Sequence, residues 1–219
     1  MLSHLDRILF PDRCEVIEVV PSQRYVYPIF KNGSSSLSVT AKKNNWRIRL
    51  NDQIKKIDSI DIILRDPYER LMSGINTFIQ LTIRDNPVLD KDTVKWFALN
   101  YLHLDRHYFT QFSWILNLAR YTCPYAQLRF LSMESITDIC NLHHSPPGIE
   151  KISDSLKNKL IVVQNYEMYQ RIDTIIFDCI GQSMTFNQLL QHIKNTDPSA
   201  YTYVIGYAQQ ILKPIYVLS

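Results

Sequence analysis

The chain has no CxxC pair: its four cysteines, Cys14, Cys123, Cys140 and Cys179, stand far apart. That spacing excludes a zinc knuckle and a redox dithiol and fits a reduced interior. No run of five or six like charges is present and the net charge is only +3, so nothing in the composition calls for a nucleic-acid partner. Charges are scattered through Met1 to Phe10 and no long apolar run follows. This reads as neither a signal peptide nor a membrane anchor, and the expected location is cytoplasmic. Internal repeats and long low-complexity stretches are also missing, which removes solenoids and disordered tails.

What remains is an ordinary globular composition, 219 residues with 46% hydrophobic and 21% charged. A domain of this length buries roughly 70% of the surface of its unfolded chain, so a core can hold it without disulfides or metals. One domain over residues 1–219 is expected, with its informative core at about 24–134 and a helical part at about 150–219.

The fold reading is α/β. Arg24 to Phe30 is β-branched and aromatic and runs into the polar stretch Lys31-Asn-Gly-Ser-Ser-Ser36, which reads as strand, loop, helix. Trp46 to Leu50 is a second strand candidate. Ile60 to Leu64 is a third, and its unbroken apolar run suits a strand covered on both faces. Directly after it, Asp66 is a good N-cap, Pro67 fits the first helical position and Glu69 completes a capping-box spacing, predicting a helix from Pro67 to about Ile83. On that helix Asp66, Arg70, Ser73 and Thr77 share a polar side where a ligand would lie, opposite Tyr68, Leu71, Met72, Ile75, Phe78 and Ile79. Further helices are expected over residues 93–102 and 109–121, and a strand over Gln127 to Leu131. After it come a helical turn at Glu134 to Cys140 and a Pro-rich loop at His143 to Gly148. Strands alternating with helices predict a P-loop-like parallel sheet flanked by helices, with ligands beyond the carboxyl ends of its strands.

Both polar motifs begin at such ends. In the first, Gly33 lets the backbone approach an anion, the amides that follow are helix-start donors, and Lys31 brings charge. Gly-Ser stretches also make solvated turns. The GxxxxGK[ST] phosphate loop of nucleoside-triphosphatases does not fit, because Lys31 precedes Gly33. In the second motif Arg65 leaves the strand at the ligand edge, and two helical turns set Ser73 on the side of Arg70.

Taken in order, the stretches Pro28-Ile-Phe-Lys31-Asn-Gly33-Ser34-Ser35-Ser36-Leu37 and Arg65-Asp-Pro-Tyr-Glu-Arg70-Leu-Met-Ser73 resemble two elements of the sulfotransferases. These enzymes use 3′-phosphoadenosine 5′-phosphosulfate (PAPS) and release 3′-phosphoadenosine 5′-phosphate (PAP). The elements are PKxGSTSL, which grips the 5′-phosphosulfate, and RDPYxRxxS, which grips the 3′-phosphate. The resemblance implies that Lys31 contacts the oxygen between sulfur and leaving phosphate, that Gly33, Ser34, Ser35 and Ser36 bind the 5′-phosphate, and that Arg65 and Ser73 bind the 3′-phosphate. Arg70 either touches the cofactor or braces the helix. His107-Tyr-Phe-Thr110-Gln111 resembles the HWxPQ element of the carbohydrate-type enzymes, with Thr110 where that pattern has Pro. Leu128 to Glu134 resembles an LRYE-type strand, and Tyr166 to Asp173 bears a fainter likeness to the family's end. No RKGxxG element of the small-molecule enzymes is present. The implied acceptor is therefore a small molecule or, more in keeping with the pattern, a carbohydrate, offering a hydroxyl or amine.

Sulfuryl transfer needs a base, and histidine suits that task near neutral pH. His107 is the expected base through the HWxPQ resemblance. His103 and His107 are four apart, but Leu104 stands where a zinc protease has Glu, and Cys140 with His143 and His144 lacks a second ligand pair, so no metal is expected. Trp46 is a candidate for stacking on the adenine. Two other readings stay open: a P-loop-like nucleotide kinase, and a non-catalytic protein that binds PAP or another nucleotide.

Overall fold

The structure is a computed structural model and describes residues 14–29, 31–88, 90, 92–93, 110–140 and 166–211. The expected helix over 93–102 beyond Thr93, the loop at His143 to Gly148, and both His103 and His107 lie outside the described residues.

Among the described residues six strands form one mixed sheet in the order β3-β1-β2-β4-β5-β6. They are β1 (Glu15–Val19), β2 (Arg24–Tyr27), β3 (Arg47–Leu50), β4 (Ser59–Leu64), β5 (Gln127–Ser132) and β6 (Ser183–Met184). The α/β class is as expected, but the all-parallel sheet is corrected: β2 pairs parallel with β4 and β4 with β5, whereas β1 and β6 pair antiparallel with their neighbours. Connection length explains the antiparallel β1–β2 pair. Only the short turn Val20–Ser22 and Gln23, at φ 52°, join β1 to β2, and so tight a link allows only a hairpin, whereas the parallel pairs have long helical crossovers.

Strand β4 lies in the middle with both faces covered, as its run of Ile60, Ile62, Ile63 and Leu64 requires; all four are buried. On one face its even-numbered residues pack with α3 (Gln111–Ala119), α4 (Tyr166–Phe177) and α5 (Phe186–Thr196), and Ala200 of α6 (Pro198–Ile211) joins the same core. On the other, Ile63 meets Leu37 and Ala41 of α1 (Ser34–Lys43), with Ile136 and Cys140 beside them. Where the strands begin, fully buried Asp61 sits between Arg24 and Arg129, each 2.6 Å away. Among the described residues no helix is long and apolar enough to cross a membrane.

Helix α2 (Pro67–Asp85) starts where the sequence predicts, and the Asp66 side chain accepts from the Glu69 amide at 2.9 Å. The reciprocal half of the capping box gives way to another contact, since the Glu69 carboxylate meets Arg65 Nε at 3.5 Å. The buried stripe of α2 is corrected: it runs Arg70, Leu71, Gly74, Ile75, between the polar and apolar sides. Helix α4 packs against α2, so Arg70 is turned inward instead of outward.

Candidate functional site

Beyond Tyr27 the chain turns sharply at the carboxyl edge of β2. Asn32 N–H donates to the Ile29 carbonyl at 3.1 Å, and Lys31 and Gly33 both take left-handed backbone angles, φ 69° and 77°. Glycine adopts that angle freely; for a lysine it costs on the order of 1–3 kcal/mol and needs a surrounding that imposes it. The imposing group is the Asn32 side chain. Fully buried, its Nδ2 donates to the carbonyl of Ile63 and to Oε1 of Gln111, both at 2.7 Å. Gly33 is then the N-cap of α1, whose N-terminus no side chain caps, and its carbonyl accepts the first helical bond from Leu37 at 3.0 Å. An uncapped helix start behind a cation offers donors and charge that favour an anion. Ser34 is half-buried, Ser35 exposed and Ser36 buried on its first turn.

The second element comes to the same edge from β4. Arg65 donates from Nη1 to the Lys31 carbonyl at 3.3 Å, so the cationic side chain of one motif touches the backbone of the other. Lys31 reaches the other way, its Nζ donating to Thr77 Oγ1, and that hydroxyl donates to the Ser73 carbonyl at 2.9 Å. Lys31, Arg65 and the Ser73–Thr77 side of α2 are thereby brought together, with the Gly33–Ser36 turn beside them.

Arg70 takes a different place. It is 2% exposed, and its Nε and Nη2 have no hydrogen-bond partner among the described residues. Burial lowers its pKa to about 10 against the attraction of Asp173, and the nearby Arg65 lowers it further. Asp173 on α4 is buried too, and loss of water pushes its carboxyl up to about 6 even though Arg70 and two backbone amides favour the charged form. Those amides are the first of α3: Gln111 N–H reaches Oδ2 at 2.8 Å and Phe112 N–H reaches Oδ1 at 3.0 Å. Thr110 is the N-cap proper, its Oγ1 accepting from Ser113 N–H at 3.0 Å. This explains a threonine at a position where a proline has no hydroxyl to offer.

No local pattern marks Asn32, Gln111 or Asp173 for a role, yet they join the two motifs. A buried amide differs from a surface one only in its surroundings, so the available signal was placement alone: Asn32 lies inside the first motif and Gln111 closes the HWxPQ-like element. Trp46 is not brought to the Lys31–Gly33 turn. It packs beside the core at the far end of α1, about 15 Å of helix from Gly33. The cysteines take no part either; Cys14, Cys140 and Cys179 are buried, and burial pushes the thiols of Cys14 and Cys179 to about 12 and about 11.

No family model matches the chain, and comparison with curated proteins and with solved structures gave no match.

Proposed function

We propose that the chain is a PAPS-dependent sulfotransferase with a P-loop-like cofactor site, acting on a hydroxyl or amine of an acceptor, in first place a carbohydrate. The observation that carries this reading is the contact of Arg65 with the Lys31 carbonyl. It unites a cation, an uncapped helix start and a hydroxyl-bearing helix side at the carboxyl edge of two parallel strands. Two anionic groups on one ligand suit such a patch better than one. The donor set fits a bisphosphorylated nucleotide: first-turn amides for one phosphate, Arg65 with Ser73 for the other.

When bound, PAPS supplies the sulfuryl group and a nucleotide leaving group. Lys31 would then neutralise charge developing on the departing oxygen, and His107 would take the acceptor's proton. Arg70 braces α2 from inside and shapes the field at Arg65 without reaching the ligand.

A thermal-shift comparison of PAP with ATP, ADP and free sulfate tests the reading. PAP at a hundred times its dissociation constant is expected to add about 2.7 kcal/mol of stability, while the other three add little. Arg65→Ala should lower PAP affinity by about tenfold or more, since a charge-assisted phosphate contact is worth roughly 1.5–3 kcal/mol. Stabilisation by ATP alone points to a kinase. PAP binding with no transfer to any acceptor points to a non-catalytic binder, and indifference to PAP refutes the proposal.

A further inference from the structure

The two anion-binding elements touch each other through Arg65 and Lys31, and a third part of the chain holds both. Gln111 is fully buried, and its side chain uses both ends of its amide. Oε1 accepts from Asn32 Nδ2 at 2.7 Å and from the Arg65 backbone N–H at 3.0 Å, and Nε2 donates to the Arg65 carbonyl at 2.9 Å. One side chain therefore grips the middle of the Lys31–Gly33 turn and both backbone polar groups of Arg65. Its own position is set from α4, because Asp173 takes the amides of Gln111 and Phe112 on its two oxygens. A carboxylate bonded at both oxygens to successive amides fixes a helix start in place and in rotation, and with it the direction of the first side chain.

We propose that Gln111 and Asp173 are positioning residues that set the distance between the 5′- and 3′-anion elements, so that a bisphosphate is bound by both at once. This rests on the reading of the site as one for PAP. A ligand touching both elements gains from the second contact only while their spacing matches its own length; a ligand touching one element is indifferent to that spacing. A merely structural role would weaken every ligand alike.

The test uses the full chain and three ligands: PAP, adenosine 5′-monophosphate and adenosine 3′-monophosphate. Gln111→Met keeps the bulk and removes all three hydrogen bonds. It should weaken PAP at least tenfold while each monophosphate changes by less than threefold. Asn32→Ser, which frees only the turn, should do the same to a smaller degree and serves if Gln111→Met does not fold. Amide hydrogen exchange without ligand should quicken in residues 31–36 and 65–67 of Gln111→Met, and in 31–36 alone for Asn32→Ser. Equal losses for all three ligands, or an unaltered PAP affinity, would overturn the proposal. If wild type shows no preference for PAP over the monophosphates, the functional reading fails. The exchange data then decide the positioning role by themselves, and unchanged exchange in both segments removes it.

Discussion

Replacing Lys31 with methionine is expected to slow single-turnover sulfuryl transfer by a hundredfold or more while PAP affinity falls much less. The cation is held in place before any ligand arrives: its backbone is fixed in a left-handed turn by Asn32, and its Nζ rests on Thr77. A preorganised charge aimed at a developing anion is worth about 2.7–4 kcal/mol of barrier, because the cost of orienting it is already met in folding. On the proposed reading ground-state binding gains less, since the amides of α1 and Arg65 would share the load. Rates at saturating PAPS, with affinity recorded alongside, separate the two effects. A variant that turns over normally once saturated would make Lys31 a binding residue only.

Removing the Asp173 side chain should be the most damaging change to stability. In Asp173→Ala two buried amides of α3 lose their acceptor, and Arg70 loses the countercharge it feels in the interior. Breaking a buried charge arrangement from one side costs on the order of 3–5 kcal/mol, and unfolding in urea with an unchanged slope is the measure. Arg70→Met combined with Asp173→Asn should recover part of the loss, because both charges leave together. A single variant within 1 kcal/mol of wild type would show that the carboxylate carries no such load.

The pH dependence has a definite sign. Burial raises the Asp173 carboxyl to about 6, above its usual value, so the folded protein binds the proton more tightly than the unfolded chain does. Stability from this group is therefore full below about pH 4 and is lost as pH rises through about 6. Wild type should gain on the non-titrating Asp173→Asn as pH falls from 6 to 4. This does not conflict with the alanine result: protonation leaves the oxygens in place to accept, and truncation takes them away.

Much of the fold could be read where local chemistry decides it. Asp66 and Pro67 mark the start of α2, and the apolar run of β4 announces a strand with two covered faces. The outer strands escaped notice for physical reasons. Glu15 and Glu18 break the apolar pattern of β1, and β6 is two residues long, so its existence depends on a partner strand. Reading β1 would have revealed the hairpin and hence the mixed sheet. Lys31, Gly33 and Arg65 stand out in the sequence because charge and glycine carry meaning where strands end, and the structure brings them together with the Ser73–Thr77 side of α2. Arg70 was misplaced because a helical wheel assigns an arginine to the wet side, and only α4 makes the interior a place it can occupy. Asn32, Gln111 and Asp173 act through contacts that span up to 79 residues, which no local pattern records.

The tie between Asp173 and the start of α3 also bears on when the site comes into being. During synthesis both motifs have left the ribosome once Ser73 is out, and at roughly 5–20 residues per second α4 follows several seconds or more later. Until Asp173 arrives the first two amides of α3 lack their acceptor, and until Gln111 is in place the turn at Lys31 and the backbone of Arg65 lack the side chain that grips both. A nascent chain thus carries the residues of both motifs long before the side chain that grips both is held in place.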